Sequence, residues 1–343
     1  MNGSSAEWVR VRAPVRVFDA GGWTDTWFAE QGVVCHLCVS PGAEAYVRAQ
    51  PCRAPEQAQV HLKVPDYADD YSFSTTAPPH RHPLLEATLR RWAPPRCDLD
   101  VEVSCAVPAG SSLGTSASVV VALMTALRAL SGEIVEPAMV ARAAHDIETI
   151  DLGRQSGVQD QVAAAFGGVN LVRIAPYPHF EVSQLSVSDE VVGSLADRLV
   201  TVYLGAHDSS DVHLEVIAHL TRGEGPGRKA LEALRAAATS AGDALVCGDL
   251  AAYGQAMTAA TEAQALLGPT LVNPTARELI EVAAKHGAIG WKVNGAGGPG
   301  GSLSILCEDD PGALLTALAA VAEAPVLPVR PCASGACLID TSR

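Results

Sequence analysis

Glycines, hydroxyl side chains and a predicted helix start meet in residues 108–117 of this 343-residue chain. Glycines let the backbone approach a ligand closely, hydroxyls contact phosphate oxygens or a metal, and the N-terminus of a helix is electropositive. The segment lacks the lysine of a Walker A loop and does not fit Gly-x-Gly-x-x-Gly. By itself it fits two interpretations, a phosphate-binding loop or a small-residue turn whose Ser and Thr cap a helix. The residues concerned are Pro108, Gly110, Ser111, Ser112, Gly114, Thr115 and Ser116.

A second glycine-rich segment, Gly295-Ala296-Gly297-Gly298-Pro299-Gly300-Gly301, lies near the other end of the chain. Each Gly in a regular element costs up to about 1 kcal/mol relative to Ala, so a purely structural turn rarely needs so many. We expect Gly297 and Gly298 to approach a ligand or a crossing element closely. Pro299 interrupts the glycine run and removes one backbone donor. We expect the nearby Lys292 to be solvated rather than to reach a phosphate.

Polar side chains also surround the Gly21-Gly22 turn near the beginning of the chain. They are Arg12, Arg16, Asp19, Thr24 and Asp25. Charged and bidentate groups suit the hydroxyls of a polyhydroxyl ligand. A solvated turn is the alternative interpretation.

A fourth group of polar residues flanks the Ser156-Gly157 break. It comprises Glu148, Asp151, Gln159, Asp160 and Gln161. Because Glu148 ends one predicted helix and Asp160 begins the next, the two carboxylates could converge at one loop. One could then hold Mg²⁺ and the other accept a hydroxyl proton. The alternative is a pair of solvated helix-end charges.

These segments must be brought together by the elements around them. Alternating or β-rich runs predict strands at 9–18, 32–47, 98–107, 169–174, 199–204, 302–306 and 336–339. Helical spacing predicts helices at 84–92, 118–130, 137–150, 158–166 and 313–322, with further helical patterns between 205 and 285. Interleaved strands and helices, with helices dominating the second half, predict an α+β protein of two lobes, residues 1–185 and 186–343.

Composition narrows the class of protein. The formal net charge of −14 argues against nucleic-acid binding, which needs clustered Lys and Arg, although screening leaves an anionic small substrate compatible. We expect no secretion signal and no membrane span, because the apolar runs are shorter than about 20 residues. Nine scattered cysteines indicate reduced thiols and a cytoplasmic location. We interpret Cys35-His36-Leu37-Cys38 as core packing rather than a metal site.

Taken together, the motifs resemble the GHMP kinase superfamily of galactokinase, homoserine kinase, mevalonate kinase and phosphomevalonate kinase. Arg12-Ala13-Pro14-Val15-Arg16 with Gly21-Gly22-Trp23-Thr24-Asp25 looks like its first motif, residues 108–117 like its nucleotide loop and 294–301 like its third motif. The resemblance implies a ribosomal-protein-S5-like N-terminal β/α lobe with the nucleotide loop and catalytic Asp. It also implies a ferredoxin-like C-terminal α/β lobe that contains the third motif.

Two local matches narrow the branch. Asp151-Leu152-Gly153 with Gly157-Val158-Gln159-Asp160-Gln161 is similar to D-glycero-D-manno-heptose 7-phosphate kinases, and the segment 21–26 is similar to fucokinases and arabinokinases. The resemblance implies transfer of phosphate from ATP, with Mg²⁺, to the anomeric C1 hydroxyl of a heptose 7-phosphate or related sugar, giving sugar 1-phosphate and ADP. The alternatives are a kinase for fucose, arabinose or a galactose-like sugar, and a catalytically silent sugar- and ATP-binding regulator. A homodimer is compatible with each.

The resemblance also implies roles for single residues. Asp160 would be the catalytic base and Arg16 the cation that balances its charge. The residues that bind the sugar would be Asp25, Thr24, Gly22 and Gln159. Those that bind the metal would be Thr115, Ser116 and Glu148. The nucleotide would be bound by Pro108, Gly110, Ser111, Ser112, Gly114, Thr115, Ser116, Gly297 and Gly298. The heptose branch has a Thr-Gly-x-x-Arg-x-Ser-like segment after the second-half strand, whereas residues 204–210 here lack the Arg. Its absence weakens the case for a phosphorylated substrate, which Asp208 would repel.

Overall fold

The computed structural model describes residues 8–52, 58–134, 136–207, 209–223, 225–321 and 324–339, without the side chains of 209–211. Asp208 therefore lies outside the described residues. The strands are β1 (Val9–Ala20), β2 (Gly32–Pro51), β3 (Gln59–Val64), β4 (Asp69–Ser74), β5 (Cys97–Cys105), β6 (Val169–Ile174), β7 (Phe180–Gln184), β8 (Leu199–Gly205), β9 (Ala288–Val293), β10 (Gly301–Cys307), β11 (Arg330–Pro331) and β12 (Cys337–Leu338). The α-helices are α1 (Pro83–Trp92), α2 (Thr115–Leu130), α3 (Pro137–Asp146), α4 (Gln159–Phe166), α5 (Asp189–Arg198), α6 (Ser209–Arg222), α7 (Gly227–Cys247), α8 (Leu250–Leu267), α9 (Pro274–Lys285) and α10 (Gly312–Val321).

The larger sheet is organised around the long strand β2. Its main order is β12-β1-β2-β5-β3-β4, and β6 and β11 also pair with β2. On β5 the alternate residues Leu99, Val101 and Val103 are buried, as the strict apolar alternation predicts. They share a core with helices α1 to α4, in which Val120, Leu123 and Leu127 of α2 are fully buried. This core fixes the start of α2 relative to the sheet.

The smaller sheet is antiparallel with the order β8-β10-β9. It forms a core with α9 and α10, where Leu279, Leu303 and Leu314 are fully buried. Helices α7 and α8 share a third core with β1 and β2, in which Leu37 and Ala238 are buried. The two sheets are thus connected through packed helices, and the α+β class is confirmed.

Some elements depart from the expected pattern. The helix predicted for 137–150 ends as an α-helix at Asp146 and continues as a π-helical turn, Ile147–Asp151. Strands β3 and β4 were not predicted, and β11 and β12 pair with β2 and β1 in the larger sheet. A lobe boundary near residue 185 stays a prediction. Among the described helices, none combines the length and apolar character needed to cross a bilayer.

Candidate active site

A cleft of about 660 Å³ lies where the segment before α2, the turn after β1 and the start of α4 meet. Its volume falls within the range of small-molecule sites, which is roughly 300–1,000 Å³. The titratable side chains Arg16, Asp25, Glu148 and Asp160 all line it. Residues far apart in the sequence therefore converge on one concave surface.

The start of α2 forms one wall of the cleft. Gly110 and Gly114 have φ of 73° and 77°, a left-handed conformation that a glycine adopts without strain. Helix α2 follows Gly114 directly, and no side chain of the described residues caps it. The predicted capping of this helix by a Ser or Thr side chain is therefore wrong. Because the first amides of a helix have no intrahelical acceptor, this wall offers N–H donors and a positive dipole to an anion.

Arg16, on β1, joins this wall to the start of α4. Its Nε donates to Asp160 Oδ1 at 2.8 Å, and its Nη1 donates to the Ser112 carbonyl. The guanidinium is buried, whereas the Asp160 side chain is 30% exposed to the cleft. Burial opposes the charge of Arg16, but Asp160 and Asp19 outweigh it and raise the pKa of Arg16. A Cβ at Gly114 would lie 3.2 Å from Asp160 Cγ, so the carboxylate lies directly beside the start of α2.

Asp25 forms the opposite wall. The Gln159 backbone N–H donates to Asp25 Oδ2 at 3.0 Å. Gly157 packs so closely that a Cβ there would lie 2.0 Å from the same oxygen. Burial raises the pKa of Asp25 to about 6, with a contribution from Asp160, while the Gln159 N–H opposes the rise. This carboxylate is held rigidly and faces the same cleft as Asp160.

The raised pKa predicts a pH-dependent difference between the wild type and Asp25→Asn. Because the folded-state pKa is above the ordinary value of 3.8, neutral Asp25 favours the folded state at low pH, and this contribution is lost as pH rises through about 6. We expect the free energy of unfolding of the wild type, minus that of Asp25→Asn, to fall by about 1–2 kcal/mol between pH 5 and 7.5. Urea titrations at several pH values measure it. Parallel pH curves for the two proteins would contradict the expected burial of the charge.

Glu148 lies on the π-helical turn after α3. Its Oε2 accepts hydrogen bonds from Ser156 Oγ and Gln161 Nε2, each at 2.7 Å, and burial raises the pKa of Glu148. Thr115 and Ser116 line the same cleft. The described residues contain no group of three His, Cys, Asp or Glu side chains that could hold a metal. One carboxylate and two hydroxyls that line the same cleft nevertheless fit Mg²⁺, which usually takes one or two protein carboxylates together with substrate phosphates and water.

The glycine-rich segment 295–301 docks against the wall formed by the start of α2. Ser302 Oγ donates to the Ser111 carbonyl at 2.7 Å, and the Gly295 N–H donates to both carboxylate oxygens of Asp19 at 3.1 and 3.0 Å. Gly295 and Ala296 line the cleft. A Cβ at Gly297 would lie 2.1 Å from the Leu271 carbonyl, so this glycine permits a close crossing of two backbone segments.

Lys292 contradicts the expectation that it would be solvated. Its side chain is 1% exposed, and Nζ lies 3.8 Å from Asp19 Oδ1, also fully buried. The ammonium donates to Gln264 Oε1 at 2.6 Å and to the Val293 carbonyl. Burial lowers the pKa of Lys292, and Asp19 partly opposes that shift. The buried pair joins β9 to β1 behind the cleft.

Replacing Lys292 by Met is expected to destabilise the fold. The change leaves the Asp19 carboxylate buried without its ammonium partner, which costs about 3 kcal/mol. Urea unfolding should show this loss, and the double variant Asp19→Asn/Lys292→Met should recover part of it. Lys285→Met, at an exposed position on α9, is the control. An unfolding midpoint for Lys292→Met equal to that of Lys285→Met would refute the coupling.

The predicted site residues divide into those that line the cleft and those that support it. The cleft is lined by Arg16, Asp25, Gly110, Ser112, Gly114, Thr115, Ser116, Glu148, Gln159 and Asp160. The other predicted residues, Gly22, Thr24, Pro108, Ser111, Gly297 and Gly298, are not among the residues that line it. Thr24 Oγ1 donates to the Gly21 carbonyl at 2.7 Å and accepts from the Val33 N–H at 3.1 Å, so it stabilises the turn behind Asp25.

Several lining residues were missed in the sequence. They are Trp23, Tyr67, Arg154, Ser156, His207 and His213. Trp23 lies within the first motif, so its position in the sequence could have indicated that it lines the cleft. Tyr67 lies between β3 and β4, two strands that were not predicted. His213 reaches the cleft from α6, and its ring contacts that of Trp23 with the centroids 4.9 Å apart and the planes tilted by 49°. Only tertiary packing brings these two residues to the site.

One family model and two known proteins match parts of this chain, and each of them is a kinase or contains a kinase. Residues 83–168 match the model of the GHMP kinases N terminal domain. The chain is 26% identical over 195 residues to a D-glycero-alpha-D-manno-heptose 7-phosphate kinase of Campylobacter jejuni, covering 57% of each protein. It is 26% identical over 325 residues to a bifunctional fucokinase/GDP-fucose pyrophosphorylase of Arabidopsis thaliana, covering 88% of this chain. The chain thus spans 57% of the first relative and 30% of the second.

The fold itself is shared with solved structures. A D-glycero-D-manno-heptose 1-phosphate kinase from Bacteroides thetaiotaomicron superposes with a TM-score of 0.73 at 21% identity. The superposition covers 98% of this chain and all of the other. At 21% identity, this structural similarity shows that the two proteins share a fold.

Proposed function

We infer that this chain, a member of the GHMP kinase superfamily by its N-terminal domain and its fold, is an ATP- and Mg²⁺-dependent sugar kinase. It phosphorylates the anomeric hydroxyl of a heptose 7-phosphate or a related sugar and releases the sugar 1-phosphate and ADP. The observation that carries this proposal is the Arg16–Asp160 pair, which lies between the uncapped start of α2 and the buried Asp25. Such an arrangement suits a base between a phosphate donor and a polyhydroxyl acceptor.

The nucleotide phosphates bind at the start of α2. There the helix amides and the glycine backbone supply N–H donors. Thr115, Ser116 and Glu148 are the residues that would hold Mg²⁺, which would neutralise phosphate charge. Asp25 and Gln159 orient the sugar hydroxyls at the other wall. Positioning and charge stabilisation provide most of the acceleration, as is general for phosphoryl transfer.

Asp160 accepts the proton of the attacking hydroxyl. Its Oδ1 is held by Arg16 Nε at 2.8 Å, which leaves Oδ2 to accept from the sugar. Because an anomeric hydroxyl is a poor acid, its proton moves to Asp160 as the oxygen bonds to phosphorus rather than beforehand. A base of this kind contributes roughly 10²–10⁴ in rate.

The choice of sugar is supported by the named relatives. One is a heptose 7-phosphate kinase and another contains a fucokinase, so fucose, arabinose or a galactose-like sugar is the second candidate class. A catalytically silent regulator is disfavoured, because a binding protein has no need of a buried Arg that holds a carboxylate beside the anion-binding helix start. The intact Arg16, Asp25 and Asp160 support turnover.

ADP release and product analysis test the proposal. The chain is incubated with ATP, Mg²⁺ and, separately, D-glycero-D-manno-heptose 7-phosphate, fucose, arabinose and galactose. We expect ADP release with one sugar and a ³¹P signal coupled to the anomeric proton of the product. Binding of ATP without ADP release on any sugar would contradict a kinase, and phosphate on another hydroxyl would contradict C1 transfer.

A further inference from the structure

Residues 153–157, here named the strap, separate the cleft from a neighbouring groove of about 330 Å³. Arg154, Gln155 and Ser156 line both spaces. The strap ends at Gly157, which packs against Asp25, so this end of the strap borders the acceptor side of the cleft. A side chain on the strap is therefore well placed to contact the distal part of an acceptor.

The strap is fixed by hydrogen bonds at successive residues. They are Arg154 N–H to the Glu148 carbonyl (2.9 Å), Trp27 Nε1 to Gln155 Oε1 (2.6 Å), Ser156 Oγ to Glu148 Oε2 (2.7 Å) and Tyr177 OH to the Ser156 carbonyl (3.2 Å). Tyr177 is itself hydrogen-bonded to His145 Nε2 at 2.8 Å. The strap therefore presents its side chains from a preorganised backbone.

Arg154 differs from Gln155 and Ser156, whose side chains are both hydrogen-bonded. Within the part of the chain that the structure describes, its exposed guanidinium has no salt bridge and no hydrogen bond, although its charge acts on Glu148 and opposes the raised pKa of that carboxyl. The other arginine of the cleft, Arg16, is already engaged by Asp160 and the Ser112 carbonyl. Arg154 is thus the guanidinium left to bind an anion.

The acidic surroundings of Arg154 mean that a phosphate on the acceptor needs a direct contact with a cation. Asp25, Glu148 and Asp160 give the cleft three carboxyl groups, and the chain as a whole carries −14. A phosphate ester of charge about −1.5 to −2 would be repelled there unless a cation contacted it directly. A guanidinium offers bidentate hydrogen bonds to phosphate oxygens, which a lysine cannot reproduce. Residues 204–210 contain no Arg for that purpose.

We propose that Arg154 binds a phosphate group carried by the acceptor sugar and makes the site selective for a phosphorylated sugar over its unphosphorylated form. The inference rests on the proposed function, because it takes the cleft beside Asp25 as the acceptor site. Arg154 is a specificity-determining residue in this scheme and takes no part in the transfer of the γ-phosphate.

Calorimetric titration without ATP tests the proposal independently of turnover. D-glycero-D-manno-heptose 7-phosphate and the unphosphorylated heptose are titrated into the wild type, Arg154→Gln and Arg154→Lys. We expect the wild type to prefer the phosphorylated sugar, and Arg154→Gln to lose about 10- to 100-fold in affinity for it. The Lys variant should recover only part, and affinity for the unphosphorylated heptose should change less than about twofold.

The control is Arg277→Gln, which removes an exposed guanidinium from α9. A wild type without preference for the phosphorylated heptose overturns the proposal. Equal losses for both sugars in Arg154→Gln also overturn it. So does a loss of ATP affinity, measured in a separate titration with ATP, at unchanged affinities for the sugars. If selective binding is seen but no ADP is released with any sugar, the kinase proposal fails while the role of Arg154 stands.

Discussion

Replacing Asp160 by Asn is expected to reduce turnover by about 10²–10⁴ while the affinity for ATP changes less than about twofold. Asn Oδ1 can still accept the hydrogen bond from Arg16 Nε, so the geometry around Ser112 should persist. The amide cannot accept the proton of an attacking hydroxyl at neutral pH. The loss therefore falls on kcat rather than on nucleotide binding.

Steady-state ADP release and nucleotide titration measure the two quantities separately. Asp197→Asn, an exposed carboxylate on α5, is the matched control and should behave as the wild type. If Asp160→Asn turns over as fast as Asp197→Asn, Asp160 does not act as the base. A loss of ATP binding in Asp160→Asn would instead assign the carboxylate to the nucleotide.

Replacing Gly157 by Ala is expected to raise the KM for the sugar by about 10- to 100-fold at an unchanged KM for ATP. The added Cβ would lie 2.0 Å from Asp25 Oδ2, far inside van der Waals contact, so the carboxylate must move. That movement also strains the hydrogen bond from the Gln159 N–H. Gly157 is not among the positive-φ glycines, so the effect is steric rather than conformational.

Gly193→Ala is the control, because among the described residues no atom outside the local backbone of α5 and the chain neighbours of Gly193 lies within 4 Å of the added Cβ. At this helical position Ala should leave both KM values unchanged and raise stability by up to about 1 kcal/mol. Initial rates at varied sugar and ATP concentrations distinguish the two variants. An unchanged KM for the sugar in Gly157→Ala would show that Asp25 does not contact the acceptor.

Asp160 and Asp25 lie in one cleft, and Arg16 connects Asp160 to the segment before α2. Arg16 reaches Asp160 with Nε and the Ser112 carbonyl with Nη1, while Asp19 adds a further charge near it. Asp19 in turn accepts from the Gly295 N–H and pairs with Lys292. Changes in the buried pair should therefore reach the cleft through Gly295, whereas changes at Gly157 should act on Asp25 alone.

Short-range patterns along the chain predict the features that depend on local interactions. Apolar alternation predicts β5, and helical spacing predicts α2. The glycines before α2 indicate a backbone that can adopt positive φ. These signals are short-range, since they depend on residues within one strand, turn or helix. Together with the resemblance of the motifs, they were sufficient for the α+β class and for ten of the 24 residues that line the cleft. The roles of those residues stay predictions.

Which residues of the site contact one another depends on the tertiary structure. The Arg16–Asp160 hydrogen bond spans 144 positions and that from Gly295 to Asp19 spans 276, distances at which no local pattern operates. The sequence predicts that Lys292 is solvated, because it is a single Lys near a loop. Packing of β9 against β1 instead buries it beside Asp19. The role proposed for Arg154 likewise depends on the fold, because four hydrogen bonds fix the strap and leave its guanidinium to face the cleft. Burial and pairing are properties of the packed chain, and the sequence alone does not contain them.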